Sequence, residues 1–294
     1  MNAPNPPGNA VPNGADSAVI AILVAISVSH ALNDTIQSLL MGIYPVLRDE
    51  FSLDYGQIGL ITFVFLGTAS IFQPFIGSYT DKRPMPYSLP IGMGSSLIGL
   101  LLLAYAPSFG FLLVAAALVG FGSSIFHPEA SRVARSASGG RFGFAQSVFQ
   151  VGGNVGNAVG PLLAAAIVVP FGQHSIAWFS LVALLAIVVL WRVSGWYNRT
   201  HVIPAAAQKR VVSRMTIAEG VSRTRVLVAL VILVLLIFSK FFYLEAFRSY
   251  YTFYLIDKYG VDIPTAQVLL FVQLFAIAVG TLIGGPIGDR FGRK

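Results

Sequence analysis

The chain has 294 residues, 55% of them hydrophobic and only 11% charged, with a formal net charge of +7. Soluble domains carry about 25% charged residues, so this composition excludes an ordinary soluble domain and points to a chain whose solvent is the bilayer. The absence of cysteine rules out disulfides, thiolate zinc sites and thiol nucleophiles, and the basic residues are scattered through short loops rather than gathered into a nucleic-acid surface.

Residues 1–17, rich in Pro, Asn and Gly, predict a disordered tail, and without a basic n-region they do not resemble a signal peptide. Apolar runs follow over 18–44, 57–79, 87–106, 109–134, 142–169, 175–197, 226–256 and 264–285. About 20 residues of helix cross the hydrocarbon core, so these runs predict eight transmembrane helices. The first six form a bundle over 18–197, a basic linker occupies 198–225, and 226–294 holds a partial second bundle of two helices. Only Pro107 and Ser108 separate the third and fourth runs, which predicts a tight antiparallel hairpin. Lys82, Arg83, Arg132, Arg135 and Arg199 are among many basic residues on one side, against Arg48 and Lys258 on the other. The positive-inside rule makes the crowded side, with the N-terminus and linker, cytoplasmic.

In the first run, SHALNDTIQSLLM places His30, Asp34, Gln37 and Met41 on one helical face. Ionisable groups at bilayer depth face a bundle interior or watery cavity and mark a path for ions or substrate. The fourth run sets Ser123, His127 and Ser131 one turn apart, and Glu129 within reach of Arg132. His127 and Glu129 lack the HExxH spacing, so no metal is expected. The fifth run carries a polar stripe of Gln146, Gln150, Asn154 and Asn157, with Gly152, Gly156 and Gly160 largely opposite it, before Pro161. Small residues four apart permit close helix packing, and the amides suit a cavity wall. In the seventh run Lys240 lies near mid-depth, with Glu245 and Arg248 nearer the outer side; Lys240 either lines the cavity or pairs with Asp34 or another acid.

An internal repeat appears at an offset of about 208 residues, a duplication common in transporters: Asp54 maps to Asp262 and the first run to the seventh. At equivalent loops stand GSYTDKRPMP and GPIGDRFGRK. Gly77, Asp81 and Lys82, and their counterparts Gly285, Asp289 and Arg290 with Arg293, read as paired cytoplasmic latches, whose glycines allow close approach and whose acids engage helix ends of the second half. There is no GxxxxGK[ST] loop for ATP and no nucleophile elbow, so neither an enzyme nor a cofactor is expected.

The two loops resemble the signature of the major facilitator superfamily. The segments SHALNDTIQSLLMGIYPVL, ALVGFGSSIFHPEASRVARSASGG, FQVGGNVGNAVGPLLA and SKFFYLEAFRSYYTFYL resemble the fosmidomycin resistance exporters of bacteria within it. The resemblance implies an all-α polytopic membrane protein of the bacterial inner membrane, with the major facilitator superfamily fold truncated after the eighth transmembrane helix. It further implies a proton-coupled drug/proton antiporter that exports fosmidomycin-like or other small compounds, with small-molecule substrate, protons and lipid as partners, no nucleic acid, and a monomeric full-length form. A proton-linked importer of an organic acid or sugar, and an inactive truncated protein, are the alternatives. The proposed cavity comprises His30, Asp34, Gln37, Ser123, His127, Gln150, Asn154, Lys240 and Glu245, with Asp34 as the coupling acid.

Overall fold

The structure, a computed structural model, describes residues 13–202 and 222–291. Among these every regular element is helical: α1 (Asn13–Gly42), α2 (Tyr44–Phe51), α3 (Tyr55–Lys82), α4 (Ser88–Ala104), α5 (Phe109–Ser136), α6 (Phe142–Leu163), α7 (Val169–Phe171), α8 (Ser180–Tyr197), α9 (Arg223–Tyr259) and α10 (Ile263–Phe291). Six of the helical spans are long and apolar enough to cross a membrane, and α4 and Ile263–Ile277 are shorter apolar helices. The eight apolar runs therefore all form helices. Most of the expected linker, the first twelve residues and Arg293 lie outside the described residues, whereas α1 begins at Asn13, inside the expected tail.

Helix ends follow the local chemistry. Asp54 opens α3 with a capping box: its carboxylate accepts from the Gln57 N–H at 2.7 Å, and the Gln57 side chain accepts from the Asp54 N–H at 2.9 Å. Asp262, its counterpart in the repeat, accepts from the Thr265 N–H at 3.2 Å at the start of α10. Helix α6 passes Pro161, which has no N–H to donate, and widens into a π-helical turn at Ala164–Val168 before turning at Gly172, whose φ is +73°. The sixth run does not begin as an α-helix: Gln173–Phe179 is 3-10, and α8 starts at Ser180.

The densest packing is between α1 and α6. Methyl groups at Gly152 or Gly156 would strike the backbone carbonyls of Ser27 and Ala31, and one at Gly160 would meet Ser38 and the Leu39 nitrogen. Ser27 Oγ donates to the Val148 carbonyl at 2.7 Å and Ser38 Oγ to the Gly156 carbonyl at 3.1 Å, supplying polar ties where lipid offers no hydrophobic drive between helices. Pro161 is buried in the same interface, its Cα 3.1 Å from a methyl built on Gly42. Helix α5 is wedged between α3 and α4, with Gly120 against Phe65 and Thr68 and Gly122 against Gly92 and Ser96. Helix α9 behaves differently along its length: from Leu227 to Tyr243 every side chain is exposed, whereas Ser249, Thr252, Phe253 and Leu255 are buried.

Candidate functional site

Asp34 lies on α1 where the Gly153 backbone of α6 comes close; a methyl there would sit 2.6 Å from His30 Nε2 and 2.9 Å from Asp34 Oδ2. The carboxylate is 7% exposed and accepts three amide hydrogen bonds: from Asn33 at 3.0 Å, Gln37 at 3.1 Å and Asn157 at 2.7 Å. His30 Nε2 stands 3.4 Å from Oδ2, and His127 Nε2 stands 3.9 Å from Oδ1. The His30 ring is fixed from both sides. It stacks on Phe149 with centroids 4.0 Å apart, and its Nδ1 donates to the Phe149 carbonyl at 2.8 Å. A carbonyl only accepts, so Nδ1 carries the hydrogen.

Neutral His30 therefore turns the lone pair of Nε2 toward Asp34. An ionised Asp34 there would set two acceptors face to face, and one proton between them removes the conflict. Donor atoms of His30, Asp34 and His127 fall within 4.8 Å of one another, close enough in number and kind to be drawn round a metal ion. No metal was expected from the sequence, and Asp34 is already supplied with three amide donors.

His127 and Gln37 carry this cluster to a cavity of about 680 Å³ between α1, α3, α5 and α9. Ser123, which donates to Gln37 Oε1 at 3.1 Å, lines it, as does Glu245 from the opposite wall. Glu245 accepts from Arg248 Nη1 at 3.0 Å. The structure thus brings together His30, Asp34, Gln37, Ser123 and His127, with Glu245 facing them across the cavity. The remaining expected residues are elsewhere. Gln150 is exposed and bonds to Asn154 at 3.5 Å along its own helix, and neither lines the cavity. Lys240 is exposed, with its ammonium 6.0 Å from the Phe241 ring centroid; among the described residues it forms no ion pair, so a pairing with Asp34 is not found. Asn157, part of the polar stripe but absent from the expected cavity set, makes the shortest hydrogen bond to Asp34. Its signal was positional, since it lies one turn beyond the glycine that lets α6 reach the acid.

At the end bearing Lys82 and Arg132, Asp81 accepts from Arg132 Nη2 at 2.6 Å, while Arg132 Nη1 bonds Thr80 Oγ1 at 3.0 Å and pairs with Glu129. The first latch therefore closes α3 onto α5 within its own bundle, and its engagement of second-half helix ends is not seen. Gly77 is not sterically required there, because an added methyl would meet only Pro128 Cβ at 3.9 Å. The side chains of Gly285, Asp289 and Arg290 lie outside the described residues, as does Arg293. At the opposite end, α2 and α3 are tied to α9. Tyr55 bonds Asp257, Tyr250 donates to the Tyr55 carbonyl at 3.1 Å, and the Arg48 guanidinium sits 4.4 Å from the Tyr55 ring centroid and 5.5 Å from that of Phe253. Helix α2, which sequence reading left as a loop, supplies Arg48.

Residues 26–294 match the sequence profile of the Major Facilitator Superfamily. The chain belongs to the major facilitator superfamily. It is 58% identical over 273 residues to the fosmidomycin resistance protein of Escherichia coli (strain K12), covering 93% of this chain and 66% of that protein. It is 44% identical over 277 residues to an uncharacterized MFS-type transporter, YfnC, of Bacillus subtilis (strain 168), covering 94% and 67%. The chain spans about two thirds of the length of these curated relatives. Among solved structures, a bacterial homologue of the human lysosomal transporter Spinster, inward-facing and unoccupied, superposes with a TM-score of 0.67 at 17% identity, over 96% of this chain and 64% of that one. That likeness concerns the fold, and the superfamily fold is the one expected from the two loop motifs.

Proposed function

We propose that the chain is a proton-coupled secondary transporter, working as a drug/proton antiporter that exports small compounds by alternating access, with Asp34 as the proton-carrying acid. The observation that carries this reading is the His30–Asp34 contact. The Phe149 carbonyl fixes the imidazole so that its second nitrogen faces a carboxylate, an arrangement completed by a single exchangeable proton. His127 and Gln37 connect that proton to the cavity, so binding there and protonation at Asp34 are coupled through shared hydrogen bonds. The similarity to a fosmidomycin resistance protein supports export of small compounds. The basic loops support an inner-membrane protein with its N-terminus in the cytoplasm.

Ties between α2, α3 and α9 at the end bearing Arg48, with the other half of α9 exposed, fit a state closed on the outer side. Rocking of bundles about the cavity would break these ties and close the opposite end. The test is drug-dependent proton release in everted membrane vesicles. Asp34→Asn is expected to abolish it while leaving the protein folded and in the membrane. Proton release at the wild-type rate in that variant overturns the assignment.

A further inference from the structure

We propose that the cavity between α3, α5 and α9 takes a lipophilic organic cation, with Glu245 selecting the charge. This rests on the transporter reading above and names its substrate class. The 680 Å³ lining contains one carboxylate, Glu245, and neither lysine nor arginine. Rings of Phe63, Phe238, Phe241, Phe242 and Tyr250 surround the space. Phe238, Phe241, Phe242 and Glu245 follow one another at i, i+3, i+4 and i+7, so a single face of α9 presents three rings and then the acid. Aromatic faces are electron-rich and attract organic cations in a desolvated site.

The acid is not fully matched by its own partner. One oxygen accepts from Arg248, which lies off the lining; the other, Oε2, has no hydrogen-bond partner among the described residues. A second carboxylate, Asp34, stands behind the opposite wall, joined to it by the 3.1 Å bond from Gln37. His127 is the one lining side chain able to carry positive charge. An anion entering here would shed water with no fixed cation facing it, whereas a bulky cation would find rings and negative charge on both walls. A cation and a proton then compete for the same field, which is the exchange an antiporter needs.

The test is equilibrium binding of tritiated tetraphenylphosphonium to the purified chain in nanodiscs, with tetraphenylborate as an anionic competitor of matched size. Saturable phosphonium binding is expected, displaced by unlabelled phosphonium and not by borate. Glu245→Gln should weaken it at least tenfold, and Glu245→Asp should recover part of the loss. Absence of saturable binding, equal displacement by borate, or unchanged affinity in a folded Glu245→Gln protein would overturn the proposal. Should that variant not fold, the wild-type comparison of cation with anion still decides. Binding needs no transport, so failure here with Asp34-dependent proton release intact removes the substrate class alone; loss of proton coupling with phosphonium binding intact removes the Asp34 assignment alone.

Discussion

Replacing Gly156 by alanine places a methyl against the backbone of α1: besides the Ala31 carbonyl oxygen, it would meet that residue's carbonyl carbon at 2.9 Å and its Cα at 3.0 Å. Backbone atoms have no rotamer to escape into, so α1 and α6 must separate by about half an ångström, enough to forfeit about a quarter of the dispersion energy along the seam. Overpacking of this kind costs about 1–3 kcal/mol, and the helical preference of alanine over glycine returns about 1. The rigid neighbours put the cost near the top of its range, for a net loss of about 2 kcal/mol, or about 30-fold in the folding equilibrium. Gly94→Ala is the control. A methyl there meets nothing within 4 Å, so it should be neutral or stabilise by up to about 1 kcal/mol. Unfolding by SDS in mixed micelles reads the difference. Equal stability of the two variants would refute the close α1–α6 contact on which the placement of Asp34 depends.

Other expectations follow from the ion pairs and the amide donors. Arg132→Ala leaves Glu129, 3% exposed, without its partner and should cost about 3–5 kcal/mol, whereas Asp81→Asn, at a side chain 69% exposed, should cost less than about 1. The same unfolding measurement checks this order, and a reversal would contradict the arrangement. Asn157→Ala withdraws the 2.7 Å donor from buried Asp34 and should destabilise by about 1–3 kcal/mol. In an Asp34→Asn background the loss should differ by at least about 0.5 kcal/mol, and strict additivity would show that the two side chains do not interact. Tyr55→Phe and Tyr250→Phe each remove a tie between α3 and α9. Spin labels at the Arg48-bearing ends of those helices should report a longer or broader distance distribution, and an unchanged one in both variants would show that these bonds do not hold that end closed.

The helices were legible because a span must satisfy all its backbone groups internally and face lipid with apolar side chains, which leaves a run of about 20 such residues as the signature. The glycine ladder Gly152, Gly156 and Gly160 was legible for a related reason: only a missing side chain lets two helix backbones touch. Helix α2 escaped notice because it is short and carries Arg48, Asp49 and Glu50, so its hydropathy looks like a loop. Partner choice was harder still. Sequence spacing showed that Glu129 could reach Arg132, but not that Arg132 also spans to Asp81 on another helix. Within the polar stripe of α6, periodicity alone did not separate Asn157, which turns to Asp34, from Gln150, which is exposed. For Lys240, charge at mid-span suggested an acid partner; the exposed face of α9 places it elsewhere.

The most direct test of Asp34 as the proton carrier is infrared difference spectroscopy of the purified protein after a pH step. The account predicts a protonated-carboxyl stretch that appears with acidification in the wild type, persists in Glu129→Gln and Glu245→Gln, and vanishes in Asp34→Asn. A band that survives unchanged in Asp34→Asn would place the exchangeable proton on another group and contradict the account.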